Sequence, residues 1–87
     1  MKNRVIKIYT TTYCPYCVKA KSLLKAKDLD FEEINVERDD QARLKLVEMS
    51  GGRKTVPQIF IDGAHIGGCD DLYALEETGE LNNILSK

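Results

Sequence analysis

Apolar positions along the chain fall into short clusters whose period alternates between two and about 3.6 residues. Arg4–Tyr9 (RVIKIY) is β-branched and apolar and reads as a buried strand. From Pro15 to Lys27 the spacing turns helical, with Cys17, Ala20, Leu23 and Leu24 on one face and the lysines mostly opposite. Pro15 suits the first turn, where a missing N–H costs nothing. Phe31–Val36 reads as a second strand. Asp39 or Asp40 can cap a second helix running to about Met49, with Ala42, Leu46, Val47 and Met49 inward, and Ser50-Gly51-Gly52 ends it. Gln58–Ile61 and Ala64–Gly67 read as two more strands, and the Asp62-Gly63 between them is a strong two-residue hairpin signal. A third helix is expected from about Asp70 to Gly79, and Leu81, Ile84 and Leu85 mark a final helical turn or two.

The order is therefore βαβ followed by ββα. The first two strands require a parallel crossover, and the last two form an antiparallel hairpin. The expectation is an α/β fold with one four-stranded mixed sheet flanked by three to four helices. No linker, repeat or low-complexity stretch divides residues 1–87, so a single domain is expected.

Composition removes several function classes. With 43% hydrophobic and 31% charged residues, the chain has the balance of a soluble globular protein. The formal net charge of −1 offers no electrostatic case for nucleic acid or an anionic membrane. Lys19, Lys21, Lys25 and Lys27 form the one local cationic cluster and read as a solvated helix face, with a docking surface for acidic proteins as the alternative. No run approaches the roughly 20 apolar residues of a membrane span. Met1–Arg4 leads directly into strand-like sequence without a signal-peptide pattern, so the cytosol is the expected compartment.

The candidate chemistry lies in Cys14-Pro15-Tyr16-Cys17, placed where a strand's exit loop becomes a helix. A close cysteine pair in a reducing compartment is catalytic or metal-binding more often than structural. Zinc needs about four ligands, and only Cys69 and His65 stand beside the pair. Thiol exchange suits the setting better. The attacking sulfur must be thiolate, and unpaired N–H groups at a helix start favour the anion, with Tyr16 and Cys17 the expected donors. A three-residue spacing puts both sulfurs on one turn, so they can close a disulfide. Cys14 at the exposed end is the attacker, and Cys17, one turn inward, resolves. Lowering a thiol's pKa costs nucleophilicity with a Brønsted slope of about 0.45, so the clearer gain is a better leaving group.

Tyr13-Cys14-Pro15-Tyr16-Cys17, Thr55-Val56-Pro57-Gln58-Ile59-Phe60-Ile61 and Gly67-Gly68-Cys69-Asp70-Asp71-Leu72 together resemble the three signature blocks of glutaredoxins, in order and over nearly the whole chain. The resemblance implies a thioredoxin fold and reduction of protein disulfides and glutathione mixed disulfides at the expense of glutathione. It implies that Pro57 is cis and faces the cysteines, exposing Val56 to pair with glutathione like an added strand. Thr55, Val56 and Pro57 are thus expected to bind glutathione. Gly68, Cys69 and Asp70 are expected at an anion site for its γ-glutamyl carboxylate, with Asp70 near the ammonium. Tyr16 would cover part of the ligand, and Cys69 would line the groove without reacting. His65 reads as a surface or packed histidine.

One departure stands out. Many glutaredoxins carry lysine three residues before the first cysteine, and here that position is Thr11. A substitute cation for the glycyl carboxylate is expected from Arg43, or else Arg53 or Lys54, and the Cys14 thiol should be less acidic than in lysine-bearing relatives. Glutathione is expected as co-substrate with no metal. The expected partners are disulfide-bearing or glutathionylated proteins, met as a monomer. The competing readings are a thioredoxin-like donor reduced by a flavoprotein, which needs no Gly67–Asp71 anion site, and a carrier of a glutathione-ligated iron–sulfur cluster.

Overall fold

The computed structural model describes residues 5–53 and 55–86. In chain order the elements are β1 (Ile6–Thr10), α1 (Pro15–Ala26), β2 (Glu32–Asn35), α2 (Asp40–Met49), β3 (Gln58–Ile61), β4 (Ala64–Gly67), α3 (Cys69–Thr78) and α4 (Glu80–Ser86). The sheet order is β2-β1-β3-β4, with β1 and β2 parallel and the other two pairings antiparallel. This is the expected mixed sheet with helices on both faces.

Alternation along the strands builds two cores. Ile6 and Ile8 of β1 and Ile59 and Ile61 of β3 point to one face, where Ala20 and Leu24 of α1, Cys69 and Leu72 of α3 and Leu81 of α4 cover them. On the other face Phe60 packs with Val36 and Leu46, flanked by Tyr9, Ile34, Ala42 and Val56. All of β3 is buried, as a central strand between two covered faces must be. Asp62 and Gly63 both have positive φ, 51° and 84°, which suits the primed turn of a two-residue hairpin.

The elements differ from expectation at their ends. Arg4 lies outside the described residues, and β1 extends through Thr10. The third helix begins at Cys69, one residue early, because Gly68 takes the cap position and Asp71 accepts its N–H at 2.9 Å. Met49, expected inward, is 39% exposed. Contact between α2 and the sheet follows the i, i+4 stripe of Ala42 and Leu46. Met49, at the end of the helix, instead edges a shallow hollow with Val5, Lys7, Tyr9, Phe60 and Gly63.

Candidate active site

Cys14 occupies the N-cap of α1, with φ −147° and ψ 98°, and Pro15 follows in the first turn. Its Sγ accepts the Cys17 N–H at 3.2 Å, so sulfur stands where a capping oxygen usually does. The sulfur thus meets both an orphan donor and the positive end of a 12-residue helix. Of the two donors expected, Cys17 makes the bond, and none from Tyr16 is formed among the described residues. Cys14 and Cys17 are joined as a disulfide, their Cα atoms 5.2 Å apart. Cys14 is partly exposed, whereas Cys17 is 1% exposed, so an incoming thiol can reach only the Cys14 sulfur. The loop before Cys14 is anchored by Glu37, which accepts the Thr12 N–H at 2.9 Å, and by Asn35, which donates to the Thr12 hydroxyl.

Opposite the disulfide, the Val56–Pro57 peptide is cis. The Val56 carbonyl oxygen lies 3.9 Å from Cys14 Sγ. This loop is tied to β3 from within. The buried Gln58 side chain donates through Nε2 to the Thr55 carbonyl at 3.0 Å and to its hydroxyl at 3.3 Å. At the far end, Gly67 (φ 126°) and Gly68 bring bare backbone to the start of α3. A Cβ on Gly67 would collide with the Asp71 carboxylate, and one on Gly68 would lie 3.3 Å from the Pro57 carbonyl oxygen. Asp71 also pairs with Arg53 at 3.4 Å.

Seven of the expected binding residues meet in one cleft of about 150 Å³: Tyr16, Thr55, Val56, Pro57, Gly68, Cys69 and Asp70. Arg53 and Asp71 complete its walls. Tyr16 is 61% exposed, beside the cysteines. Arg43 is not in the cleft. It lines an adjoining groove of about 420 Å³ with Thr11, and its Nε donates to the Val36 carbonyl at 3.0 Å. Arg53 and Val56 border both hollows. Lys54 lies outside the described residues. Burial pushes the Cys69 thiol up, with Lys19 opposing weakly and Asp70 adding to the rise, so at neutral pH this sulfur is an unreactive wall.

Asp71, expected at the Gly67–Asp71 helix start, acts there as the capping acid, three residues after Gly68. One contributor escaped the sequence reading: Gln58 is a polar residue opening an apolar strand, and only its burial reveals a purpose. Among the described residues no group of three or more His, Cys, Asp or Glu is placed to hold a metal ion.

Comparison with known proteins agrees with this geometry. Residues 6–66 match the sequence profile of the glutaredoxin family. The chain is 52% identical over 79 residues to Glutaredoxin 1 of Rickettsia prowazekii (strain Madrid E), covering 90% of this chain and 83% of that one. It is 50% identical over 80 residues to Glutaredoxin 3 of Escherichia coli (strain K12), covering 92% and 95%. Among solved structures, a buckwheat glutaredoxin–glutathione complex superposes with a TM-score of 0.87 at 30% identity, covering 95% of this chain and 77% of that one.

Proposed function

This chain belongs to the glutaredoxin family and is a thiol–disulfide oxidoreductase, and on that premise we propose that glutathione is its electron source. The observation that carries the reading is the cleft itself. It runs from Tyr16 and Val56, whose carbonyl oxygen lies 3.9 Å from the Cys14 sulfur, past the cis-Pro57 loop, to the N-terminus of α3. Glutathione is a short peptide with a thiol in the middle, an ammonium and a carboxylate at one end and a second carboxylate at the other. Its cysteine backbone pairs with Val56, which puts its sulfur beside Cys14. Its γ-glutamyl carboxylate meets the backbone N–H groups of Cys69 and Asp70 in the first turn of α3, the Gly68 N–H being held by Asp71, and its ammonium meets the Asp70 side chain. The glycyl carboxylate then points to the adjoining groove, where Arg43 and Arg53 supply the charge that Thr11 lacks. The likeness to a glutaredoxin solved with glutathione supports the same reading.

The chemistry follows from the unequal burial of the two sulfurs. In the reduced protein the Cys14 thiolate attacks one sulfur of a client disulfide and expels the other as thiolate. Cys17 then attacks the Cys14 sulfur, releases the second client thiolate and closes the Cys14–Cys17 disulfide. One glutathione thiolate attacks the accessible Cys14 sulfur and expels Cys17. A second attacks the glutathione sulfur, forms glutathione disulfide and expels the Cys14 thiolate. Each step that expels Cys14 is helped by the Cys17 N–H and the helix dipole holding the leaving anion. The clients are proteins with accessible disulfides or glutathione mixed disulfides, met by a monomer in the reducing cytoplasm.

Turnover of a glutathione mixed disulfide by the two single-cysteine variants tests this. Cys14→Ser should be inactive. Cys17→Ser should retain turnover, because glutathione itself can resolve the mixed disulfide, and should lose reduction of protein disulfides. Full activity in Cys14→Ser, or a wild type indifferent to glutathione, overturns the proposal.

A further inference from the structure

His65 sits on the edge strand β4, with its ring 5.0 Å from that of Phe60. Its Nε2 lies 2.7 Å from Gln58 Oε1. Gln58 is fully buried and reaches in the other direction, through Nε2, to the Thr55 carbonyl and hydroxyl. The direction of this chain is determined by chemistry. The Thr55 carbonyl can only accept, so the amide nitrogen of Gln58 must face it. The Gln58 oxygen then faces His65, and the Nε2 of His65 must carry the proton it donates. An exposed ring is thereby linked, through one buried amide, to the residue that precedes the Val56–Pro57 loop.

We propose that His65 is a positioning residue for the glutathione cleft: through Gln58 it holds Thr55, and with it the Val56 backbone, in the register that faces Cys14. The inference rests on the glutathione reading above.

The physical case is one of satisfaction. Gln58 lies where its amide has no water to turn to, so both of its ends need partners. His65 supplies the end that Thr55 cannot. Without it the amide oxygen is left short of a donor and the amide is free to rotate or retreat toward solvent at the β4 edge, which loosens the bonds to Thr55. Cys14 and Cys17 would be untouched, since their geometry comes from α1. Loss of His65 should therefore impair recognition of a peptide-like thiol and spare the intrinsic chemistry of the disulfide.

The test compares two reductants of the Cys14–Cys17 disulfide: glutathione, which has the peptide and both carboxylates, and 2-mercaptoethanol, which has neither. Rates are read by acid quench, alkylation and mass spectrometry. The wild type should react faster with glutathione. His65→Ala should slow the glutathione reaction roughly fivefold to tenfold and leave the 2-mercaptoethanol rate within about twofold, the scale of one lost hydrogen bond. His65→Gln, whose amide N–H falls near the imidazole Nε2 position, should restore most of the rate. His65 is exposed, so folding is not at risk; Gln58→Leu, checked by its thermal melt, should show the same selective loss. A wild type with no preference for glutathione removes the reading on which the inference rests. A preference that His65→Ala leaves intact, or an equal loss with both thiols, overturns the inference alone.

Discussion

Replacing Gly67 by alanine should be among the most damaging single-methyl changes in this protein, and the structure says by how much. Gly67 has φ 126°, outside the regions open to residues with a Cβ. Holding alanine there costs about 1–3 kcal/mol. The added Cβ would also overlap the Asp71 carboxylate, lying 2.7 Å from Cγ and 2.8 Å from Cβ of that residue. Asp71 must then swing away and give up the Gly68 N–H that it accepts at 2.9 Å, a cap contact worth about 0.5–1 kcal/mol. Its pairing with Arg53 is solvent-exposed and adds little. The total is about 2–4 kcal/mol, which in a domain of this size lowers Tm by on the order of 10–20 °C. Urea and thermal unfolding of the oxidised protein measure it. The mechanism has its own check. Asp71→Ala alone should cost about 1 kcal/mol, and the double variant should be more stable than the sum of the two singles predicts. The overlap with the carboxylate is gone and the lost cap contact counts once, while the backbone strain and the 2.8 Å approach to the residue-71 Cβ remain. A Gly67→Ala protein within about 0.5 kcal/mol of wild type refutes the strain argument, and strict additivity refutes the collision.

Three further outcomes can be read directly. In the reduced protein, iodoacetamide at about pH 7 should label Cys14 and leave Cys69 unmodified until the chain unfolds, since burial raises the Cys69 thiol; labelling of both at similar rates counts against this. Glu33 is held below its ordinary value of 4.5, first by the hydrogen bond from Lys21 at 3.0 Å, with Thr10 also donating to it, while burial pushes the other way. Its contribution is therefore present above that value and lost as pH falls through the lowered one. Glu33→Gln should destabilise by under about 1 kcal/mol at neutral pH, with the difference from wild type vanishing in acid. Thr11→Lys should make the reduced Cys14 thiol more acidic, followed by the ultraviolet absorbance of the thiolate against pH; an unchanged or less acidic thiol contradicts the role given to charge at that position.

Much of this site is written in short stretches of sequence. Pro15 after Cys14 announces a helix start, and a three-residue spacing brings two sulfurs to one turn whatever surrounds them. Asp39 caps α2 as its residue type suggests, by accepting the Ala42 N–H at 3.0 Å. Asp62-Gly63 closes its hairpin because both positions tolerate positive φ. These are local effects, settled by backbone geometry within a few residues.

What the local pattern did not determine are the pairings across the chain. The sheet order, with β1 and β3 side by side, comes from two cores that must each be covered. That order carries Val56, 42 residues from Cys14 along the chain, to 3.9 Å from its sulfur. The cation question turned on the same thing. Arg43 and Arg53 look equivalent along the chain, yet Arg53 reaches the cleft to pair with Asp71, and Arg43 is held by Val36 in the groove alongside. Gln58 and His65 looked like a strand polar residue and a surface ring, and became a linked pair only through the register of β3 with β4. Sequence alone thus determined that a reactive cysteine pair opens a helix, because capping and spacing act over one turn. The tertiary fold decided what faces that pair, because burial and hydrogen-bond satisfaction are settled between elements far apart in the chain.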